Sequence, residues 1–143
     1  MSVIRPKSTM EKIDYTKSHE WMNDKKYILE FVNLVELKKS DYVLDAGCGS
    51  GYVAAVIRPK VKDLLQIDHD WTMLSTNNIA KHTETLKADL SNLWMLGDKI
   101  FDFIFCRSVF HRLKEPEKAY KEFKRLLKKD GKMILSVSYA PED

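Results

Sequence analysis

The stretch Asp45-Ala46-Gly47-Cys48-Gly49-Ser50-Gly51 contains three of the five glycines in this 143-residue chain. The apolar residues at 42–44 predict a β-strand before it, and residues 52–58 predict a short helix after it, which Pro59 ends. A strand that turns through glycines into a helix brings bare backbone close to a ligand, because side chains would block that approach. The Asp45 carboxylate adds an acceptor for an ammonium or a hydroxyl group. The sequence therefore predicts a nucleotide-type cofactor site.

Composition and charge indicate one soluble globular domain. The chain is 44% hydrophobic and 31% charged, with a formal net charge of +3, which does not by itself imply a nucleic-acid partner. Basic residues concentrate at 107–132, where their helical spacing is typical of a solvated helix face; a patch for an anionic substrate or RNA is the alternative. No apolar run approaches the roughly 18 residues of a membrane span.

The chain has two cysteines, Cys48 and Cys106, and their spacing matches neither that of a disulfide framework nor that of a zinc site. We therefore expect reduced thiols, no metal and a cytoplasmic location. The N-terminus has no apolar segment of the kind found in a signal peptide.

Strands and helices alternate along the sequence. Strands are predicted at 42–44, 63–67, 83–88, 101–106 and 132–138, and most of these stretches are apolar. Helical spacing predicts helices at 24–37, 52–58 and 71–80, a short helical or irregular segment at 91–96, and a helix from Pro116 that ends before Gly131. Such alternation predicts an α/β domain, a doubly wound parallel sheet with helices on both faces. We expect residues 1–23 to form an N-terminal segment and residues 24–143 to form the core.

Four residues fall at or just beyond the ends of predicted strands, namely Asp45, Asp68, Asp89 and Cys106. The carboxyl ends of parallel strands meet at one edge of the sheet, and ligands of such sheets bind there. We therefore expect these residues to converge on one site.

The glycine stretch is compatible with two cofactor classes. Residues 49–54 also fit the dinucleotide fingerprint G-x-G-x-x-A, with Asp68 at the usual distance for a ribose-binding acid. Asp45 argues against this interpretation, because an acid ahead of the first glycine repels a pyrophosphate and suits a cationic amino-acid moiety. A different dinucleotide-dependent enzyme remains the less favoured alternative.

Five segments in order resemble the motifs of class I S-adenosylmethionine-dependent methyltransferases. Residues 43–51 resemble the first motif, 66–74 the second and 87–90 the third. Residues 101–113 resemble the fourth strand with its histidine-containing segment, and 116–131 resemble the helix and turn before strand five. The resemblance covers about residues 25–138 and is greatest for small-molecule methyltransferases of the ubiquinone/menaquinone-biosynthesis type.

The resemblance implies a Rossmann-like, three-layered fold with strand order 3-2-1-4-5, S-adenosylmethionine as cofactor and S-adenosylhomocysteine as product. In this family the first acid approaches the amino group of the cofactor, the second accepts the ribose hydroxyls, and the third lies at the adenine. Carried over to this chain, the cofactor site would comprise Asp45, Ala46, Gly47, Cys48, Gly49, Gly51, Asp68, His69, Met73, Asp89, Leu90, Cys106 and Arg107. Cys106 and Arg107 would contribute backbone near the methionine portion.

Methyl transfer is an in-line displacement in which the cofactor supplies the difficult chemistry, so no metal or obligatory base is implied. His111 is a weak candidate for a base, with simple packing as the alternative. Arg107 and Arg112 are candidates for holding an anionic substrate, although we expect them at the surface. Tyr15 and Trp21 are candidates for a lid over the pocket, with ordinary packing as the alternative.

The chain ends at Asp143, shortly after the fifth predicted strand, whereas the family adds further strands there. We therefore expect a sheet truncated after strand five, whose edge is covered by a second copy, by the N-terminal segment or by another chain. The leading hypothesis is an active methyltransferase for a small molecule, dimeric through that edge. The alternative is a cofactor-binding subunit or truncated paralogue that is inactive alone.

Overall fold

The computed structural model describes residues 24–70, 74 and 83–137. The strands are β1 (Tyr42–Ala46), β2 (Asp63–Asp68), β3 (Glu84–Lys87), β4 (Phe101–Arg107) and β5 (Leu127–Ser136). The helices are α1 (Lys25–Val32), α2 (Tyr52–Ile57) and α3 (Pro116–Leu126), with short 3₁₀ turns at Arg58–Lys60 and Phe110–Arg112. The lid candidates Tyr15 and Trp21, the site candidate Met73 and most of the predicted helix at 71–80 lie outside the described residues; Leu74 is helical and buried.

The five strands form one parallel sheet in the order β3-β2-β1-β4-β5, so the predicted strand order is confirmed. The glycine stretch leaves the central strand β1, and the neighbours of β1 on the two sides are β2 and β4. All strands run the same way, so their carboxyl ends share one edge of the sheet.

Side chains alternate between the two faces of the sheet and build a core on each. On one face Leu44, Ile104 and Met133 pack with Phe123 of α3. On the other face, strand residues such as Phe105 pack with α1 and α2, and the Phe31 and Phe105 rings meet edge to face at 5.6 Å. Both faces of the central strands are covered by helices, which explains why their sequences are continuously apolar. The three-layered architecture is thereby confirmed.

The first helix is shorter than predicted. It ends at Val32, and the Asn33 N–H bonds to the Leu29 carbonyl at 2.9 Å in the cap. The next apolar residues, Leu34 and Val35, pack against the same core from the connection to β1, without being helical. Apolar periodicity marked the buried residues correctly, but it could not show where the helix stops.

The fifth strand begins earlier than predicted. It starts at Leu127, directly after α3, and the pairing with β4 shifts register between Phe101 and Phe103. Gly131 therefore lies within the strand rather than in a turn after the helix. A Cβ at Gly131 would lie 3.0 Å from the Phe101 carbonyl oxygen, so the close approach of the two strands favours glycine here.

The connection from β3 to β4 contains turns at the predicted segment 91–96, and the Arg125 side chain holds this connection against α3. The Arg125 guanidinium donates to the Leu93 and Leu96 carbonyls at 2.9 and 2.8 Å. It also forms ion pairs with Asp98 and Glu122. One planar fork thus satisfies two carbonyls of the segment that follows Asp89.

We predict that Arg125→Ala lowers the free energy of unfolding by about 1–3 kcal/mol, because two carbonyls and two carboxylates lose a charged donor. Arg125→Lys keeps the charge but not the fork, so it recovers only part of this loss. Urea denaturation measures both variants. A loss below about 0.5 kcal/mol for the alanine variant would contradict the assigned role.

In the part of the chain that the structure describes, no helix has the length and apolar character needed to cross a membrane.

Candidate cofactor site

The turn after β1 is built from glycines in the left-handed region. Gly47, Gly49 and Gly51 have φ values of +75°, +51° and +89°. The N–H groups of Gly47 and Cys48 both donate to the Ile67 carbonyl, at 2.8 and 3.0 Å. Two hydrogen bonds therefore attach the turn to β2 before α2 begins. Residues other than glycine would be strained at these three positions.

Gly47 has a second reason to be glycine. A Cβ at this position would lie 2.6 Å from Cγ2 of Val109, in the segment after β4. The Val109 side chain thus occupies the space that a larger residue at position 47 would need. The segment after β4 and the glycine turn support each other.

Asp45 lies beneath the turn and is nearly inaccessible, with 2% of its surface exposed. Its Oδ2 atom is buried and accepts no hydrogen bond from any described residue. Burial, reinforced by the negative charge of Asp68 and opposed by the positive charge of Arg107, raises the pKa of Asp45 to about 7. Burying a carboxylate oxygen that accepts no hydrogen bond destabilises the folded state. Asp45 Oδ2 is therefore a candidate for contact with a ligand.

Asp68 ends β2, is buried, and already has backbone partners. Its Oδ2 accepts the Gly49 N–H and its Oδ1 accepts the Asp70 N–H, both at 2.9 Å. Each carboxylate oxygen can accept a further bond, so the group remains able to bind hydroxyls. The bond to Gly49 was not predicted from the sequence: Asp68 also ties the glycine turn to β2.

His69 and Asp89 are exposed in the structure. His69 Nδ1 lies 3.5 Å from Asp68 Oδ1, and the His69 side chain is 87% exposed. Asp89 accepts the N–H and the hydroxyl of Ser91 at 2.9 and 2.8 Å, which lowers the pKa of Asp89. Leu90 packs its side chain into the core, so only its backbone is available for the predicted adenine contact.

Cys106 and Arg107 end β4 and lie next to each other in sequence but in different surroundings. Cys106 is fully buried in the core that faces α3, and burial raises the pKa of its thiol, which is therefore protonated at neutral pH. Arg107 Nη2 is buried. Arg107 as a whole is partly buried, so its side chain is less exposed than expected. Burial lowers the Arg107 pKa, and the Asp45 charge opposes this.

Ser108 was not predicted from the sequence. It has a φ of +56°, unusual for a residue with a side chain, and is buried. Its N–H donates to the Ser136 carbonyl at 2.8 Å at the end of β5. This backbone conformation places the next residue, Val109, against Gly47. A serine and a valine give no sign of these structural roles in a single sequence.

His111 and Arg112 lie in the 3₁₀ turn Phe110–Arg112 and are exposed. Burial, together with the positive charge of Arg112, lowers the pKa of His111, so its imidazole is neutral at pH 7. Arg112 is at the surface, as expected. Neither side chain forms a hydrogen bond or an ion pair with Asp45 or Asp68.

The arrangement can bind an amine and hydroxyl groups. Two buried carboxylates, Asp45 and Asp68, and the Arg107 guanidinium lie at the carboxyl edge of β1, β2 and β4 around the glycine turn. A groove of about 370 Å³ lies elsewhere, between the connection after α1 and Lys60. It contains neither a glycine turn nor a carboxylate at a strand end, so we place the functional site at the turn.

Comparisons with known proteins identify the family of the chain. Residues 44–135 match the family model described as "Methyltransferase domain". The chain is 29% identical over 140 residues to the uncharacterized methyltransferase YcgJ of Bacillus subtilis, covering 90% of this chain and 55% of YcgJ. The crystal structure of YcgJ superposes with a TM-score of 0.76 at 28% identity, covering 84% of this chain and 53% of that one.

Two further relatives carry methyltransferase names. Malonyl-[acyl-carrier protein] O-methyltransferase of Hamiltonella defensa is 31% identical over 102 residues, which are 71% of this chain and 39% of that enzyme. The structure of a SAM dependent methyltransferase from Aquifex aeolicus superposes with a TM-score of 0.63 at 26% identity, covering 82% of this chain and 69% of that one.

The chain spans about half the length of the curated relatives that it matches. The family model covers most of the described sheet, from β1 to β5, and includes the whole glycine turn. The predicted resemblance is confirmed at the level of the family: this chain belongs to the methyltransferase-domain family, with the class I S-adenosylmethionine-dependent methyltransferase fold.

Proposed function

We propose that this chain binds S-adenosylmethionine at the glycine turn and promotes transfer of its methyl group to a small-molecule acceptor by in-line displacement. The observation that carries the proposal is the buried Asp45 Oδ2, which no described residue satisfies. The ammonium of an amino acid is a cationic donor that would satisfy this atom and favour the ionised carboxylate. A pyrophosphate would do neither.

The remaining residues fit the other parts of the same molecule. Asp68 has an unused acceptor position on each oxygen, which suits the two hydroxyls of a ribose. The left-handed glycines keep Cβ atoms away from the turn, so that a ligand can approach its backbone. The assignments of His69, Met73, Asp89, Leu90 and Cys106 to this cofactor remain predictions.

When bound, the sulfonium of the cofactor supplies an activated methyl group. The tasks of the chain are to fix that group in line with an acceptor and to exclude water. His111 is neutral at pH 7 and so is able to take a proton from an acceptor, but its position in the reaction stays a prediction. Membership of the ubiquinone/menaquinone-biosynthesis type of small-molecule methyltransferases and a cytoplasmic location belong to the same proposal, which leaves the acceptor itself unassigned.

A second candidate is a cofactor-binding chain that needs a partner for activity. It is favoured by the position of β5, which among the described strands has a neighbour on one side alone, β4. An edge of ten residues can pair with a second copy or another chain. Size-exclusion chromatography with light scattering tests the homodimer, and a monomer that turns over methyl groups would contradict the need for a partner.

We predict that the purified chain binds S-adenosylhomocysteine in isothermal titration calorimetry and does not bind NAD at the same concentrations. Asp68→Asn should weaken S-adenosylhomocysteine binding about tenfold or more, because a charged acceptor for the hydroxyls is lost. Asp63→Asn is the matched control, since Asp63 is exposed at the opposite end of the same strand. Tight NAD binding without S-adenosylhomocysteine binding would overturn the proposal.

We predict opposite effects of Asp45→Asn on binding and on stability. The folded protein holds the Asp45 proton up to about pH 7, whereas an unfolded aspartate releases it near pH 4. Ionisation of the buried group therefore destabilises the folded wild type increasingly as the pH rises through this interval. Asp45→Asn should gain stability over the wild type between pH 5 and pH 8, by at most a few kcal/mol, at about 1.4 kcal/mol per pKa unit.

The same proton is expected to control binding. S-adenosylhomocysteine should bind wild type about tenfold more tightly at pH 8 than at pH 6, because its ammonium needs the ionised carboxylate. Asp45→Asn should bind weakly at both pH values. Thermal unfolding and calorimetry at each pH measure the two effects. An asparagine variant that is less stable at pH 8 and binds as tightly as wild type would assign Asp45 to structure alone.

A further inference from the structure

Helix α2 is apolar on its outer side as well as on its inner side. None of its six residues is charged, and its inner side is buried in the core shared with α1. The outer side of α2 and of the 3₁₀ turn that continues it carries residues spaced three or four apart, namely Tyr52, Ala55, Val56 and Pro59. We call these four residues the outer stripe. Val56 is partly exposed and the other three are exposed. A helix that is apolar all round is normally buried, so this stripe indicates a contact surface.

The two ends of the outer stripe differ in shape. At one end, directly after the glycine turn, lies Tyr52, which is 49% exposed. At the other end, Pro59 is followed by Lys60, which lines the groove of about 370 Å³. An exposed aromatic side chain and a groove therefore lie about 10 Å apart along the same helical surface. Tyr52 cannot reach the groove of its own chain, because α2 separates them.

The groove is chemically suited to a tyrosine. Leu34, Val35 and Leu37 line it and are partly exposed, so they offer apolar contacts to a ring. Glu36 also lines it and is exposed, and its carboxylate can accept the hydrogen of a phenol. A tyrosine is bound best where its ring lies among apolar groups and its hydroxyl has a partner.

We infer that the outer stripe is an interface between two copies of this chain, in which Tyr52 of each copy enters the groove of the other. When two such helices lie antiparallel about a two-fold axis beside Ala55, Tyr52 of one copy lies opposite Pro59 of the other. A two-fold interface requires a surface that is complementary to itself. The outer stripe meets this requirement because one end carries the side chain and the other end carries the groove. The small side chain of Ala55 allows the two helices to approach each other at the axis.

The interface is small, which sets the expected affinity. Four stripe residues and one groove on each copy are fewer than the roughly 20–30 residues a side of a standard interface. We therefore expect a reversible dimer with a dissociation constant on the order of 10–100 µM. The inference is independent of the proposed cofactor and acceptor.

Sedimentation velocity of the full chain between about 1 and 500 µM tests the inference. Tyr52→Ala should weaken dimerisation about tenfold or more, because both grooves lose their occupant. Ala55→Arg and Ala55→Glu should each prevent dimerisation, since like charges then meet at the axis. An equimolar mixture of the two Ala55 variants should form a heterodimer, since opposite charges then meet there. Both positions are exposed, so we expect all three variants to fold, which circular dichroism checks.

Trp94→Ala is the matched control. Trp94 is 76% exposed, more than Tyr52, but it lies in the turn that Arg125 holds against α3, on the other face of the sheet. Its removal should leave the dissociation constant unchanged, whereas an equal loss would indicate non-specific apolar association and overturn the inference.

Three further outcomes would overturn the inference. A wild type that stays monomeric at 500 µM would do so, and a lower free energy of unfolding for Tyr52→Ala would then show that the chain itself covers the stripe. A dimer that tolerates the Ala55 variants would assign dimerisation to another surface, such as the edge of β5. Failure of the two Ala55 variants to associate when mixed would exclude the two-fold arrangement.

Discussion

The candidate site depends on one buried carboxylate at the centre of the sheet, and the sheet must hold that group against its cost to folding. Asp45 is 2% exposed, lies between β2 and β4, and has an oxygen without a donor among the described residues. Burial raises its pKa to about 7, so the folded chain resists the ionised form that an ammonium ligand would need. A group that opposes folding in this way is typical of a functional site, where stability is given up for binding. A core leucine at this position would fold more easily and bind nothing.

The glycine turn above Asp45 is held from two sides before any ligand arrives. On one side the Ile67 carbonyl and the Asp68 carboxylate accept N–H groups of the turn; on the other, Val109 fills the space over Gly47. The left-handed backbone of Ser108, whose N–H donates to the Ser136 carbonyl, holds Val109 in this position. A loop fixed in this way loses little conformational freedom on binding, which leaves more of the contact energy for affinity.

The sequence predicted those features that depend on local pattern. Apolar runs located β1, β2, β4 and β5, since strands covered on both faces need them, and the acids that follow two of these runs, Asp45 and Asp68, proved to lie at one edge. The third strand was also predicted, although its residues are mostly exposed. The start of β5 at Leu127 was not predicted, because pairing with β4 overrides the turn-like residues around Gly131. Nor could single-residue propensity show that Arg107 is partly buried and that the Ser108 backbone is left-handed, since both properties come from neighbours distant in sequence.

The charges at this edge also bear on turnover under the proposed function. Asp45, Asp68 and Arg107 together carry one negative charge when Asp45 is ionised. S-adenosylmethionine carries one net positive charge, from its sulfonium, ammonium and carboxylate, whereas the product thioether is neutral overall. The site therefore attracts the methyl donor more than the product, and the difference is largest where the surroundings are least polar. Arg107 moderates this attraction, because without its positive charge the edge would carry two negative charges.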